Sequence, residues 1–334
     1  MNVSEWIVSL GNSPNRLAVP IMTHPGIEST GKTIVEAVSD GETQFRAIKA
    51  VQEKYSPDAA TMIMDLTVEA EAFGSRINLS DKEIPSLTDR LVGDQESVER
   101  LRVPSLESAR VPQYLRAAQL AVKEIKDKPV FAGCIGPFSL AGRLFGMSEI
   151  MTSLFIEPDV IKLLLDKCSS FLRSYIGAMK NLGTDGILMA EPAAGLLSAE
   201  MCDEFSSDYI KGIVDDVQDG DFLFILHNCG NTGHVTQSMI YTGSGGLHFG
   251  NRVSMVEVLN EVPKNRLVFG NLDPVSVFKS GSPKHVFDET TKLLRQTTDH
   301  RNFIISSGCD TPPGSPPENV EAFFHAVRIF NAGD

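Results

Sequence analysis

Apolar residues along this chain fall into two alternating patterns. Short aliphatic runs, bounded by Gly, Pro, Asn or Asp, recur at LAVPIMTH (17–24), AATMIMD (59–65), PVFAGCIG (129–136), GILMAEP (186–192), FLFILHN (222–228), GLHFG (246–250), RLVFGN (266–271) and NFIISSG (302–308). They are continuously apolar rather than alternating, which is how strands buried on both faces read. Between them the period changes to that of a helix. EPDVIKLLLDKCSSFLRSYIGAMKNLG (157–183) sets Ile161, Leu164, Leu165, Cys168, Phe171, Leu172 and Ile176 on one stripe. Shorter helices are predicted at 254–262 and 283–296. At 315–330, Pro before the helical run and Glu318 in its first turn mark a helix start.

Eight strands alternating with helices predict an α/β protein with a parallel sheet. No G-x-G-x-x-G follows the first strand, so a closed (β/α)8 TIM barrel is favoured over a dinucleotide-binding sheet. Residues 74–112 read as a polar insertion carrying Pro85, Pro104 and Pro112. With no linker, low-complexity tract or repeat, residues 1–334 are expected to form a single barrel domain with an N-terminal extension and that insertion.

Composition narrows the function classes. The chain has 334 residues, within the reach of one barrel of about 250 residues or more. Its 42% hydrophobic and 22% charged content is that of an ordinary globular protein. Net charge is −13, and no Lys/Arg cluster is present, which argues against nucleic acid as a partner. No apolar stretch approaches the roughly 20 residues that span a bilayer. The start, MNVSEWIVSLGNSPNR, lacks the pattern of a signal peptide. Five cysteines in a long chain do not read as a disulfide framework. A cytoplasmic location with reduced thiols is expected.

The candidate chemistry gathers at strand ends, because in a parallel barrel the C-terminal ends of the strands carry the active site. Strand alternation points His227 and Cys229 the same way. Imidazole and thiolate are the usual zinc ligands, although a buried cysteine beside a hydrogen-bonded histidine is an equally good reading of two residues alone. Cys309, at the end of the last strand, can face them across the mouth, because fifth and eighth strands oppose each other. Three ligands with an open position is the catalytic zinc pattern. Cys134 and Cys168 read as structural, and Cys202 has no clear role. Glu191 ends the fourth strand and suits either a departing fourth ligand, a partner for His227, or an exposed carboxylate. Asp65 ends the second strand, followed by Glu69 and Glu71. It suits acid/base work or substrate orientation, with a helix N-cap as the bland alternative and helix surface for the two glutamates. His24, at the first strand end, is a candidate for substrate binding. His248 fits a satisfied core histidine equally well.

Several stretches together resemble a known family. GPFSLAG (136–142), GNLDP (270–274) and TPPGSPPENVEAF (311–323) are similar to segments of the uroporphyrinogen decarboxylase superfamily, a (β/α)8 barrel, and the likeness runs from about residue 40 to the end. HNCGNT (227–232) and SSGCDTPP (306–313) resemble its zinc-binding, corrinoid-dependent branch, typified by methylcobalamin:coenzyme M methyltransferases. The resemblance implies Zn2+ held by His227, Cys229 and Cys309. Catalytic roles are expected for Asp65 and Glu191, and substrate-binding roles for His24, Asn271 and Asp273. The arginine-rich M-R-Q-A-G-R segment of true decarboxylases is missing; this chain reads THPGIESTGKTIVEAV (23–38) instead. Asp65 matches an aspartate that both branches share, so it does not separate them.

The expected activity is transfer of a methyl group between a corrinoid and a thiol. No corrinoid-binding D-x-H-x-x-G signature occurs, so methylcobalamin is expected on a separate corrinoid protein, with a small-molecule methyl acceptor or donor as the second substrate. The alternatives are demethylation of an ether or amine donor toward the corrinoid protein, tetrapyrrole decarboxylation, and a non-enzymatic corrinoid-protein chaperone with a structural metal.

Overall fold

The computed structural model describes residues 3–12, 15–230 and 232–333. Seven strands form one parallel sheet in the order β1 (Ala60–Thr61), β4 (Val130–Ile135), β5 (Gly186–Ala190), β6 (Leu223–Asn228), β7 (Gly246–Phe249), β8 (Leu267–Leu272) and β9 (Phe303–Ser307). The segment 17–21 closes the ring. It bridges β9 in parallel at Ala18 and Ile305, with the Val19 amide donating to the Ile305 carbonyl at 3.0 Å. On its other side Thr61 Oγ1 donates to the Pro20 carbonyl at 3.3 Å. The result is the expected α/β barrel of (β/α)8 type.

Two expected strands are shorter than the sequence suggests. LAVPIMTH is reduced to the single bridge at Ala18, and a helix already begins at Thr23 (Thr23–Ser29). Pro20 offers no N–H to a ladder, which explains the interruption. His24 therefore sits in the first turn of a helix and not at a strand end. In AATMIMD only Ala60 and Thr61 pair as a ladder, so Asp65 lies in the loop beyond β1. The helices predicted at 157–183, 254–262, 283–296 and 315–330 are found at Pro158–Asn181, Met255–Glu261, Pro283–Gln296 and Pro317–Ala332.

Strand alternation sorts the core into two layers. Leu188, Leu223, Ile225, Leu267, Phe269 and Ile304 fill the barrel interior, while Ile187, Phe224, Val268 and Ile305 pack outward against the helices. The N-terminal helix Val3–Asn12 closes the bottom, adding Val3, Trp6 and Leu10 to the interior cluster. Trp6 meets Phe131 edge-on at 5.7 Å, and its indole N–H donates to the Asp58 carbonyl. At the top of the barrel a cavity remains, where His24, Asp65, His227 and Asp310 collect beside apolar side chains.

Residues 74–112 hold an antiparallel pair, β2 (Ile77–Asn78) and β3 (Ser86–Leu87), and the helix Gln95–Arg100 capped by Asp94. Between β2 and β3 the chain brings Ile84 and Pro85 to the barrel mouth. No helix among the described residues is long and apolar enough to cross a membrane.

Candidate active site at the barrel mouth

His227 is the fifth residue of β6 and shares the inward face of Leu223 and Ile225. Cys229 follows two residues later, just past the strand. Cys309 lies two residues beyond the end of β9. One ligand atom from each of His227, Cys229 and Cys309 lies within 4.8 Å of the other two. His227 is 2% exposed, and both thiols are partly buried. Asn231, inside the HNCGNT stretch, lies outside the described residues.

The two nitrogens of His227 have different surroundings. Nδ1 lies 2.8 Å from Nδ1 of His248, whose Nε2 lies 2.9 Å from Ser306 Oγ. Nε2 of His227 is buried and has no hydrogen-bond partner. Burial, then the neighbouring His227, holds the His248 pKa well below the usual histidine range, so His248 is neutral. The two thiols interact directly. A hydrogen bond from Cys309 lowers the Cys229 pKa, and the same contact together with burial raises that of Cys309. A buried nitrogen without a partner beside two neighbouring sulfurs forms a donor set that fits a thiophilic cation such as Zn2+.

A cavity of about 250 Å3 opens above this cluster, lined by His227, Cys229 and Cys309 together with His24, Asp65 and Asp310. Ile21, Met64, Leu66 and Ile84 make the rest of its wall largely apolar. His24 is 4% exposed and its Nδ1 has no hydrogen-bond partner. Asp65 is held firmly: Arg110 Nη1 and Tyr114 Oη donate to its Oδ2, while Thr67 donates to Oδ1 from both backbone and hydroxyl. Arg110 also pairs with Glu71 at 2.6 Å. Asp65 thus lines the cavity as a fixed charge, and it does not cap the following helix, Val68–Phe73, whose N-cap is Thr67.

Other expected residues lie elsewhere. The Glu191 carboxylate faces away from His227. It accepts from the backbone N–H groups of Phe138 and Ser139, at the start of the helix Pro137–Phe145, at 2.9 and 2.6 Å. In β5, Leu188 and Ala190 face inward, so Glu191 falls on the opposite parity and its carboxylate anchors the helix layer. Burial pushes its pKa up to about 7. Asn271 and Asp273 line a separate cavity of about 530 Å3 outside the mouth. The Asn271 amide ties down the carbonyls of Gly250 and Val253, and Asp273 caps the helical turn Pro274–Lys279 and accepts from Asn251. Glu69 is not on a helix surface: it is 1% exposed, and its Oε1 accepts from the Ile135 amide.

Four contributors escape a reading of the sequence alone. His248 is in register with His227 across β6 and β7, a relation visible only once the strands are paired. Arg110 and Tyr114 are four apart on one helical face, but their partner Asp65 lies 45 residues from Arg110. Arg143 lines the cavity one residue beyond the GPFSLAG stretch.

This is a (β/α)8 barrel with a His-Cys-Cys cluster at the C-terminal ends of its strands. The model of the uroporphyrinogen decarboxylase family matches residues 14–330, and the chain belongs to that family. The methylcobamide:CoM methyltransferase MtbA of Methanosarcina acetivorans is 32% identical over 308 residues, which are 91% of this chain and 89% of that protein. A uroporphyrinogen decarboxylase from Synechococcus sp. is 27% identical over 283 residues, covering 82% of this chain and 79% of the decarboxylase. The likeness therefore runs to the corrinoid-dependent methyltransferase branch of the family. A solved structure of a methyltransferase from Methanosarcina mazei shares the fold, with a TM-score of 0.86 over 94% of each chain at 24% identity.

Proposed function

We propose that this chain is a zinc-dependent methyltransferase that moves a methyl group between a corrinoid, carried by a partner protein, and a small thiol. The observation that carries the reading is the His227, Cys229 and Cys309 cluster, with ligand atoms within 4.8 Å and the His227 Nε2 unengaged.

Zinc bound there would deprotonate an incoming thiol and keep it as the thiolate nucleophile at neutral pH. The chain's own residues decide how reactive that thiolate is. Cys229 and Cys309 bring two negative sulfurs, which with the substrate thiolate more than offset the charge of Zn2+. The incoming sulfur therefore keeps its electron density, whereas a histidine-rich donor set would withdraw it. That bias favours attack on a methyl group over activation of water. His248 fixes the ring of His227 so that Nε2 faces the sulfurs. The apolar wall of Ile21, Met64, Leu66 and Ile84 strips water from the nucleophile. Asp65, clamped by Arg110 and Tyr114, orients the substrate as a fixed acceptor. The thiols must stay reduced, as the cytoplasm allows. The whole chain acts as one barrel domain, with the 74–112 segment shaping one edge of the mouth.

Tetrapyrrole decarboxylation is disfavoured by size and charge. The cavity, at about 250 Å3, lies below the roughly 300–1,000 Å3 typical of drug-sized ligands. Arg143 is the one Arg or Lys among its lining residues, against the many carboxylates of a uroporphyrinogen.

Metal analysis of protein purified under reducing conditions tests the reading. About one zinc per chain is expected, lost in Cys309→Ala. A protein that moves methyl groups at full rate with no bound metal would overturn it. Inactivity with every thiol, joined to methylation of cob(I)alamin by ethers or amines, would reverse the direction of transfer.

A further inference from the structure

A thiol that reacts as the thiolate leaves a proton behind, and few groups in the mouth cavity can take it. Asp65 already accepts from Arg110, Tyr114 and Thr67. Arg143 is a cation with nothing to accept with. His227, Cys229 and Cys309 are the proposed metal ligands. Asp310 accepts from the Thr23 amide at 2.9 Å, and a carboxylate lies further from a thiol in basicity than an imidazole does. His24 is the remaining base on the cavity wall.

His24 stands between two cavities. It lines the mouth cavity with the cluster, and it also lines an outer cavity of about 310 Å3. That outer cavity carries the exposed side chains of Glu28, Lys32, Asp81 and Lys82. Pro313 is the one other described residue that borders both. His24 is 4% exposed, and among the described residues its Nδ1 is buried without a hydrogen-bond partner. An unmet buried polar atom is costly and uncommon in a native core. The Asp310 carboxylate, held by the Thr23 amide, attracts positive charge on His24. An imidazole can accept a proton at one nitrogen and release one from the other.

We propose that His24 is the catalytic base that carries the thiol proton out of the mouth cavity into the outer one. The inference rests on the proposed thiol methyl transfer. The S–H bond of the incoming thiol breaks, its electron pair stays on sulfur, and the proton forms an N–H bond at Nδ1 of His24. The imidazolium then gives one proton to water in the outer cavity and is neutral again. This exit does not cross the mouth, so it stays open while a corrinoid protein covers the barrel.

Stopped-flow mixing of the zinc-loaded full chain with 2-mercaptoethanol, 3-mercaptopropionate or 2-mercaptoethanesulfonate tests this. Phenol red in weak buffer follows proton release, and calorimetry measures thiol binding. His24→Gln is expected to slow the release on the order of a hundredfold with zinc content unchanged. Added 2,6-lutidine, a hindered base that binds metals poorly, restores part of the rate. His24→Asn serves as the second variant should His24→Gln not fold. An unchanged rate in a variant with native circular dichroism overturns the proposal, as does a slowed rate that no added base restores. A zinc-loaded chain that binds none of these thiols overturns it together with the proposed reaction. Demethylation of methylcobalamin is followed separately. If proton release depends on His24 but no methyl group moves, the proposed reaction fails and the base stands.

Discussion

The imidazoles of His227 and His248 meet edge to face, with their Nδ1 atoms 2.8 Å apart and their planes at 88°. Two neutral rings can share that contact only if one N–H points at the other's lone pair. For Nε2 of His227 to serve as a ligand atom, its proton must sit on Nδ1 and be donated to His248. His248 then carries its own proton on Nε2, directed at Ser306 Oγ. The network sets the tautomer of the proposed zinc ligand from the neighbouring strand β7, backed by Ser306 on β9.

Replacing His248 with Phe removes the acceptor and leaves the Nδ1–H of His227 buried and unpaired. Zinc affinity, measured by competition with a chromophoric chelator, is expected to fall about 10- to 100-fold. His248→Asn, whose Oδ1 can take the place of Nδ1, restores most of it. In the metal-free protein, nitrogen NMR of His227 shows the Nδ1–H tautomer in the wild type and a mixture in His248→Phe. Unchanged zinc affinity in His248→Phe would show that the contact does not position the ligand.

Glu69 predicts a pH dependence of stability. Burial raises its pKa from the ordinary 4.5 to about 7. The native state thus holds a proton that the unfolded chain has already released between those values. The stability tied to the protonated form is complete below pH 4.5 and is lost as pH rises through about 7. The displacement corresponds to roughly 3 kcal/mol. Urea unfolding at pH 5 and pH 8 should show Glu69→Gln gaining on the wild type at the higher pH by up to about that amount. A stability difference independent of pH would mean that Glu69 is ionised in the folded protein throughout.

Much of this architecture is legible in the sequence, and the places where it is not have physical causes. The continuously apolar strand runs and the stripe from Ile161 to Ile176 are strong periodic signals, and they mark the strands and the long helix. Parity along a strand brings His227 and Cys229 to one side. The same parity excludes Glu191, whose neighbours Leu188 and Ala190 face the interior, and applying it there would have moved that carboxylate to the helix layer. The Arg110–Asp65 pair and the His227–His248 contact depend on tertiary pairing across 45 and 21 residues, and no local pattern encodes them. Asn271 and Asp273 lie near the strand end that carries the right chemistry, but their side chains are consumed by backbone carbonyls and a helix cap.

Arg110 is expected to be essential for stability and Asp65 less so. The Arg110 and Asp65 side chains are 9% and 2% exposed, and the guanidinium also serves Glu71 and Thr67. Arg110→Ala strands buried negative charge and should cost about 3–5 kcal/mol in chemical unfolding. The double variant Arg110→Met with Asp65→Leu should recover much of that loss in stability while leaving methyl transfer impaired. Full activity in the double variant would remove Asp65 from the site.

Trp6 closes the barrel at the end opposite the mouth. Trp6→Ala empties a position beneath Phe131 and gives up the hydrogen bond to Asp58, with an expected loss of about 3–5 kcal/mol. Thiol binding by the folded protein should be unchanged, since the cavity lies at the other end. Titration of a thiol below the unfolding temperature checks this; a weakened thiol would mean that the plug shapes the mouth.

The central claim is that His227, Cys229 and Cys309 hold a zinc that readies a thiol for methyl transfer. Its most direct test follows the visible spectrum of methylcobalamin mixed with a short thiol and the full chain, metal-free or zinc-loaded. The account predicts thiol-dependent demethylation that requires zinc and is lost in Cys229→Ala and Cys309→Ala. Equal demethylation by the metal-free protein, or by either cysteine variant, would contradict it.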